Sequence, residues 1–374
     1  MAASMVQRIS RLFFRIKQYI PVNPSEYRYA GLCGKLQTTF MKDMRYSQPL
    51  RTVTLAPALG FLSFFMKKEE ELTDQDKVRE VVYKGIYAKE QGNIREASKA
   101  FHEALNMSTD FLNEKKISNK ENLNHKVFIY DQIANLCLET GDWKSAEVVF
   151  KDTMKLALQL GMAENDNAMI EMSLKLATIY LYSGRIELAL TGLKHCITEQ
   201  ETKLKARQSA AENGSTEDDS EKAKEEDVNT KVLLGKAMKH LANYHLQKND
   251  YKGAESLLQK SLEISQETLG SNDDNSFAIM NDLATCQILL KEYENAEKLL
   301  KDGIKLSRKA QSLMQSAFLS NLGALYIRTK RFSEAEKACE QGLKVAENGN
   351  DEYLKGPCRD CLARLAQIKA ASKD

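Results

Sequence analysis

A small residue on one helix, then a larger one and a second small residue on the next, recurs six times along this chain. That recurrence leaves few folds open. Gly85, Gly92, Ile94, Ala97, Phe101 and Ala104 form the first copy. Ala134, Cys137, Gly141, Trp143, Ala146 and Phe150 form the second, and Ala177, Tyr180, Gly184, Ile186, Ala189 and Leu193 the third. The pattern returns at Ala242–Tyr251–Ala254–Leu258, at Ala284–Tyr293–Ala296–Leu300 and at Gly323–Tyr326–Phe332–Ala335–Cys339. Small residues let two helices approach closely, and the larger ones fill the gap. One helix pair cannot bury its own apolar stripe, so the copies must stack into a continuous core.

This spacing is the tetratricopeptide pattern, whose usual period is about 34 residues. Here the equivalent alanines Ala97, Ala146, Ala189, Ala254, Ala296 and Ala335 lie 49, 43, 65, 42 and 39 residues apart. The long period resembles that of kinesin light chains more than the short form. The reading is all-α: a right-handed αα superhelix of about six helix pairs plus a capping helix. No proline occurs between Glu69 and Gly356, which suits helix throughout. Leu354, Cys358, Cys361, Leu362, Leu365 and Ile368 recur at helical spacing and predict the capping helix. The expected organisation is a presequence over 1–51, an apolar segment over 52–68, and repeats one to three over 69–198. A charged insertion follows over 199–227, then repeats four to six over 228–347 and the cap over 348–374.

The net charge of +2 hides an asymmetry. Residues 1–68 carry eleven Lys and Arg against Glu26 and Asp43, which leaves an acidic remainder. A basic leader on an acidic body is not a nucleic-acid-binding distribution, because that function needs a basic face within the folded part. Val6–Tyr19 places Ile9, Leu12, Phe13 and Ile16 on one helical face, with Arg8, Arg11 and Arg15 largely on another. An Arg-rich, acid-poor amphipathic N-terminus reads as a mitochondrial transit peptide, with cleavage expected after Tyr46; a basic tail without structure is the bland alternative. Thr52–Met66 has no charge, but it is shorter than a spanning helix needs and is broken by Pro57 and Gly60. It either spans with snorkelling flanks or lies in the membrane interface.

Between repeats three and four, Glu199–Asp227 is charged and has little to bury, so a mobile solvated loop is expected. Lys203, Lys205 and Arg207 offer to prolong the helix before it. No phosphate-binding loop, nucleophile elbow, dinucleotide turn or H-E-x-x-H is present, so no catalytic residue, cofactor, metal or small-molecule substrate is expected. Cys358-Arg-Asp-Cys361 is the only C-x-x-C. It lacks the second pair a structural zinc wants, and core packing is favoured over a redox pair. Cys137, Cys196 and Cys339 fall on packing positions and are expected to be reduced, buried thiols.

Aligning the copies predicts a partner-binding groove lined by Arg79, Asp131, Asn135, Glu171, Thr178, Lys239, Asn243, Asn281, Thr285 and Arg328. Asparagine can bond a partner's backbone N–H and C=O together. Asn135, Asn243 and Asn281 therefore either serve a ligand or bridge adjacent helices.

The stretch Asp166-Asn167-Ala168-Met169-Ile170-Glu171-Met172-Ser173-Leu174-Lys175-Leu176-Ala177 resembles the signature of the mitochondrial tetratricopeptide repeat protein 19 family. Tyr130–Leu136 and Asp282–Thr285 are similar to it as well, over a resemblance spanning roughly residues 70–370. The layout also matches: basic leader, short apolar segment, acidic run, long-period repeats and an insertion after the third. The resemblance implies a non-catalytic scaffold at the mitochondrial inner membrane. It would bind the subunits of respiratory complex III (ubiquinol–cytochrome c reductase) and aid clearance of Rieske iron–sulfur protein fragments. The competing expectation is a cytosolic cargo or signalling adaptor like kinesin light chain. That reading needs a heptad coiled coil upstream of the repeats, and residues 1–68 contain none.

Overall fold

The computed structural model describes residues 73–212, 221–349 and 351–371. The expected presequence and apolar segment lie outside these residues. The chain divides into two compact units at Glu164 and Asn165. Among the described residues of the first are α1 (Asp74–Glu90), α2 (Ile94–Asn113), α3 (Asn119–Glu139) and α4 (Trp143–Gln159). The second holds α5 (Asn167–Tyr182), α6 (Ile186–Glu212), α7 (Glu221–Gln247), α8 (Tyr251–Thr268) and α9 (Asp274–Leu289). It continues with α10 (Tyr293–Lys309), α11 (Met314–Arg328), α12 (Phe332–Asn348) and α13 (Glu352–Ala371). Odd and even helices pair as antiparallel hairpins, six in all among the described residues, and α13 packs on α11 and α12 as the cap. The fold is the expected all-α tetratricopeptide solenoid.

Each hairpin closes through the same turn. The amide of the residue opening the second helix donates to a carbonyl five residues back: Asn93 to Ala88, Asp142 to Cys137 and Arg185 to Tyr180. Asp250 to His245, Glu292 to Gln287 and Arg331 to Tyr326 complete the set, at 2.8–2.9 Å throughout. This satisfies carbonyls that the ending helix leaves orphaned, and it forces one residue into the left-handed region. Glycine takes that position in the first three turns, at Gly92, Gly141 and Gly184. Asn249, Lys291 and Lys330 take it in the last three, at φ of 60°, 67° and 60°.

The repeated small residues and their partners form the core. Ala97, Phe101, Ala134, Ala146, Phe150, Ala189, Leu193, Ala254, Leu258, Ala296, Leu300 and Cys339 are all fully buried. At Gly85 a Cβ would sit 2.6 Å from the Phe101 ring, so α1 and α2 pack ring against backbone there. In the second unit the core runs continuously from Ala242 to Leu365, with Phe277 and Phe318 edge to face at 6.0 Å.

Two expectations are corrected. The insertion is not a loop throughout: α6 runs to Glu212 and α7 starts at Glu221, so 199–212 and 221–227 are helical. A polar cluster holds them. Asn167 Nδ2 donates to Thr230 Oγ1 at 3.0 Å, while Gln200 Nε2 and Lys203 Nζ donate to Asn167 Oδ1 at 3.0 and 3.2 Å. Arg207 bridges α6 to Glu226 and Asp227 of α7, at 3.1 Å each. Glu, Lys, Ala and Gln are strong helix formers, and a charged composition hides a helix once an adjacent helix supplies counter-charge. Second, Cys339 is not a free thiol. It forms a disulfide with Cys361, joining α12 to the cap across a Cα separation of 6.2 Å. Gly323, on α11, leaves the room: a Cβ there would collide with both sulfurs. Cys358 keeps its thiol, buried against Ser316, so the C-x-x-C does not pair within itself. Cys137 and Cys196 are buried thiols whose pKa burial pushes up to about 12.

The turn predicts a measurable asymmetry. Gly141 has φ of +78° with open space where a Cβ would go, so Gly141→Ala costs about 1 kcal/mol from backbone conformation alone. Lys291→Gly, at φ 67°, gains about 0.5 kcal/mol. Urea unfolding of the two variants checks both signs. Reducing the disulfide, which closes a loop of 22 residues, lowers stability by about 3 kcal/mol, read as a lower unfolding midpoint in excess dithiothreitol.

Candidate functional site

The first helix of each hairpin packs its small residues inward and leaves a polar row on its other side. In the first unit, α1 contributes Arg79, exposed and 4.0 Å from Asp76, and Lys89, buried and 3.3 Å from Glu139 of α3. On α3, Asn135 Nδ2 donates to Asp131 Oδ2 at 2.9 Å, which leaves the Asn135 carbonyl free to accept. Phe128 is exposed one turn before Asp131 on the same face. Sequence reasoning passed over it because an aromatic residue in a repeat reads as packing.

The second unit carries the longer row. Glu171 on α5 pairs with Lys175 at 2.9 Å. Burial pushes the Glu171 carboxyl up, but Lys175, which also hydrogen-bonds it, and Lys236 outweigh burial and hold it below the usual carboxylate range. Lys239 on α7 lies 3.8 Å from the buried Asp282 on α9. Asn243, a turn beyond Lys239, is 7 % exposed, so little of it is offered to a partner. Arg328 is exposed at the end of α11. Thr178 does not belong to the face. It is buried, and its hydroxyl is spent on the Leu174 carbonyl one turn back on its own helix, at 2.8 Å.

Asn281 bridges adjacent repeats, yet it keeps part of its hydrogen-bonding capacity. Asn321 on α11 donates from Nδ2 to Asn281 Oδ1 at 2.8 Å and to Thr285 Oγ1 at 3.0 Å. That arrangement fixes both amide planes. It leaves Asn281 Nδ2 as a donor and Asn321 Oδ1 as an acceptor, neither with a partner among the described residues. A donor and an acceptor side by side match the C=O and N–H of an extended chain. Asn321 was invisible in the sequence as a site residue, since only the pairing across α9 and α11 reveals it.

Lys236, one turn before Lys239 on α7, is the other group that sequence reasoning missed. It is half-buried and makes no hydrogen bond or ion pair among the described residues. Burial pushes its amine down to about 8. Glu171 opposes that shift, while the like charges of Lys175 and Lys239 add to it. The open donor and acceptor on Asn281 and Asn321 can therefore hold an extended segment by its main chain.

Comparison with known proteins agrees with this architecture. Tetratricopeptide repeat models match residues 233–309 and 317–348, and a model described as tetratricopeptide repeat protein 21 ARM repeat matches 76–213. Among solved structures, NprR in complex with its cognate peptide NprX superimposes with a TM-score of 0.51 at 14% identity, covering 91% of this chain and 86% of that one. Aspartyl phosphate phosphatase F from Bacillus subtilis gives 0.51 at 13% identity, over 95% and 86%. At these identities the likeness concerns the fold alone. Tetratricopeptide repeat protein 19, mitochondrial, of Rattus norvegicus is 30% identical over 85% of both chains. The protein of that name from Homo sapiens is 32% identical, over 73% of this chain and 67% of its own length. With that identity sustained across the repeats and most of both lengths, this chain belongs to the tetratricopeptide repeat protein 19 family.

Proposed function

We propose that this protein is a non-catalytic mitochondrial scaffold for respiratory complex III, held at the inner membrane. It binds subunits of the assembled complex and retains fragments of the Rieske iron–sulfur protein until they are removed. The observation that carries the reading is the 30% identity with the rat relative over 85% of both chains. The open donor–acceptor pair on Asn281 and Asn321 supports it physically, because a scaffold that retains chain fragments must grip main chain whatever its side chains.

The leader supports a mitochondrial destination through its Arg-rich amphipathic pattern. Among the described residues no helix is long and apolar enough to cross a membrane. The uncharged, apolar Thr52–Met66 supports membrane attachment through that segment. A tether raises the concentration of the face near a membrane-bound partner without adding a contact.

Tagged full-length protein, recovered from detergent-solubilised mitochondria and run on a native gel, tests the reading. Co-migration with complex III is the expected result. A mitochondrial protein that migrates apart from complex III overturns it.

A further inference from the structure

Cys358-Arg-Asp-Cys361 is a chemical motif that a scaffold does not use, and the fold divides its two sulfurs between two states. Cys361 is bonded to Cys339 of α12, while Cys358, one turn earlier on α13, keeps its thiol. Residues three apart share a helical face, so both sulfurs point into the seat of the cap. That seat is bare backbone under them. A Cβ on Gly323 of α11 would come within 2.9 Å of Cys361 Sγ, and one on Gly342 of α12 within 2.8 Å of Cys358 Sγ. Cys361 thus faces Cys339, and Cys358 faces the residue one turn further along α12.

Cys339 and Cys358 are 0% exposed and Cys361 is 7% exposed. A dissolved reductant or thiol has poor access to the disulfide while the cap is seated, but Cys358 is already inside, one turn from it. Thiol–disulfide exchange needs a sulfur nucleophile beside a disulfide, and the cap supplies both. Helix geometry decides when they react. Cβ atoms three residues apart on a helix lie about 5–6 Å from each other, and a disulfide needs about 3.5–4.5 Å. The seated helix therefore keeps Cys361 on Cys339, and its turn must distort before Cys358 can replace Cys339. The preceding turn is already weakened: Pro357 has no N–H, so α13 lacks the main-chain bond from residue 357 to the Tyr353 carbonyl.

We propose that Cys339, Cys358 and Cys361 form an internal exchange centre that gives the cap a locked and an unlocked form. When α13 loosens, the Cys358 thiol gives its proton to water and its sulfur attacks Cys361 Sγ. The Cys358–Cys361 bond forms, the Cys339–Cys361 bond breaks, and the electron pair leaves on Cys339, which takes up a proton. Electrons and protons balance, so no oxidant or reductant is consumed. The product ties α13 only to itself. The cap is then held on α11 and α12 by packing, through Leu354 and Leu365 among others, and by the ion pair of Lys369 with Glu336. Loosening of the cap is thereby coupled to a covalent change that outlasts it.

Disulfide mapping of the full-length chain tests this, because Arg359 separates the two cysteines of the motif. The protein is held at pH 8.5 without reductant, its thiols are blocked with N-ethylmaleimide in mildly acidic denaturant, and it is cut with trypsin. The locked form yields Ala338–Lys344 joined to Asp360–Arg364, with Gly356–Arg359 blocked. The unlocked form yields Gly356–Arg359 joined to Asp360–Arg364, with Ala338–Lys344 blocked. Wild type starts locked. Leu365→Ala, which removes a buried cap side chain, speeds the appearance of the unlocked pair at least about tenfold, and wild type in urea below its unfolding midpoint behaves likewise. The rate rises about tenfold from pH 7 to pH 8 with the thiolate fraction. Cys358→Ser and Cys358→Ala stay locked throughout. Amide hydrogen exchange over residues 354–368 is about 100-fold faster in the unlocked form, the effect of losing a staple that closes a loop of 22 residues.

Locked pairing alone in both Leu365→Ala and urea-treated wild type at pH 8.5 overturns the proposal. So does blocking of Cys339 in Cys358→Ser at the wild-type rate, which reports reduction or exchange between molecules instead. Equal hydrogen exchange in the two forms overturns it as well, since the bond would then hold nothing down.

Discussion

Several of the helix contacts depend on one helix giving up its side chain so that its neighbour can press against the backbone. Gly85 receives the Phe101 ring, Gly303 receives the Phe318 ring, and a Cβ on Gly192 would stand 3.0 Å from that of Ala177. Close approach brings dispersion and hydrophobic burial to both helices, and no hairpin has enough apolar surface to stand without the next. Because that contact turns one side of each first helix inward, its other side is left polar and solvent-facing. The surface proposed to bind a partner is thus a by-product of how the core is made.

The periodic part of the structure was legible because it is local. A helix pair writes its packing into residues a fixed number of positions apart, so Ala97, Ala146, Ala189, Ala254, Ala296 and Ala335 marked six hairpins without any knowledge of their neighbours. The same register picked out Glu171, Lys239 and Asn281. What depends on contact between repeats was not legible. Asn321 acquires meaning only from Asn281 and Thr285, some forty residues away in sequence. Cys339 finds Cys361 only because Gly323, on a third helix, leaves room for both sulfurs. The insertion looked unstructured because its charges seemed to have nothing to meet. In the folded chain Arg207 meets Glu226 and Asp227, and Asn167 gathers Gln200, Lys203 and Thr230.

Stability and function pull apart on this face. The ends of the hairpins are well satisfied, with every turn closed by the same 2.8–2.9 Å bond, and the cap is tied down by the disulfide and by Lys369 on Glu336. Against that background Asn281 and Asn321 keep hydrogen-bonding atoms the fold leaves unused. A rigid frame carrying a few unsatisfied groups has part of its binding geometry set before a partner arrives, so less is lost to ordering on association.

The central claim is that the polar face of the first helices, and not the outer face of the second helices, meets complex III. Benzoylphenylalanine placed singly at Lys239 or Arg328 on the first helices, or at Lys260 or Glu340 on the exposed side of α8 and α12, tests it by photo-crosslinking in intact mitochondria. The account predicts adducts to complex III subunits from Lys239 and Arg328 and none from Lys260 and Glu340. Adducts from Lys260 and Glu340 alone would contradict it.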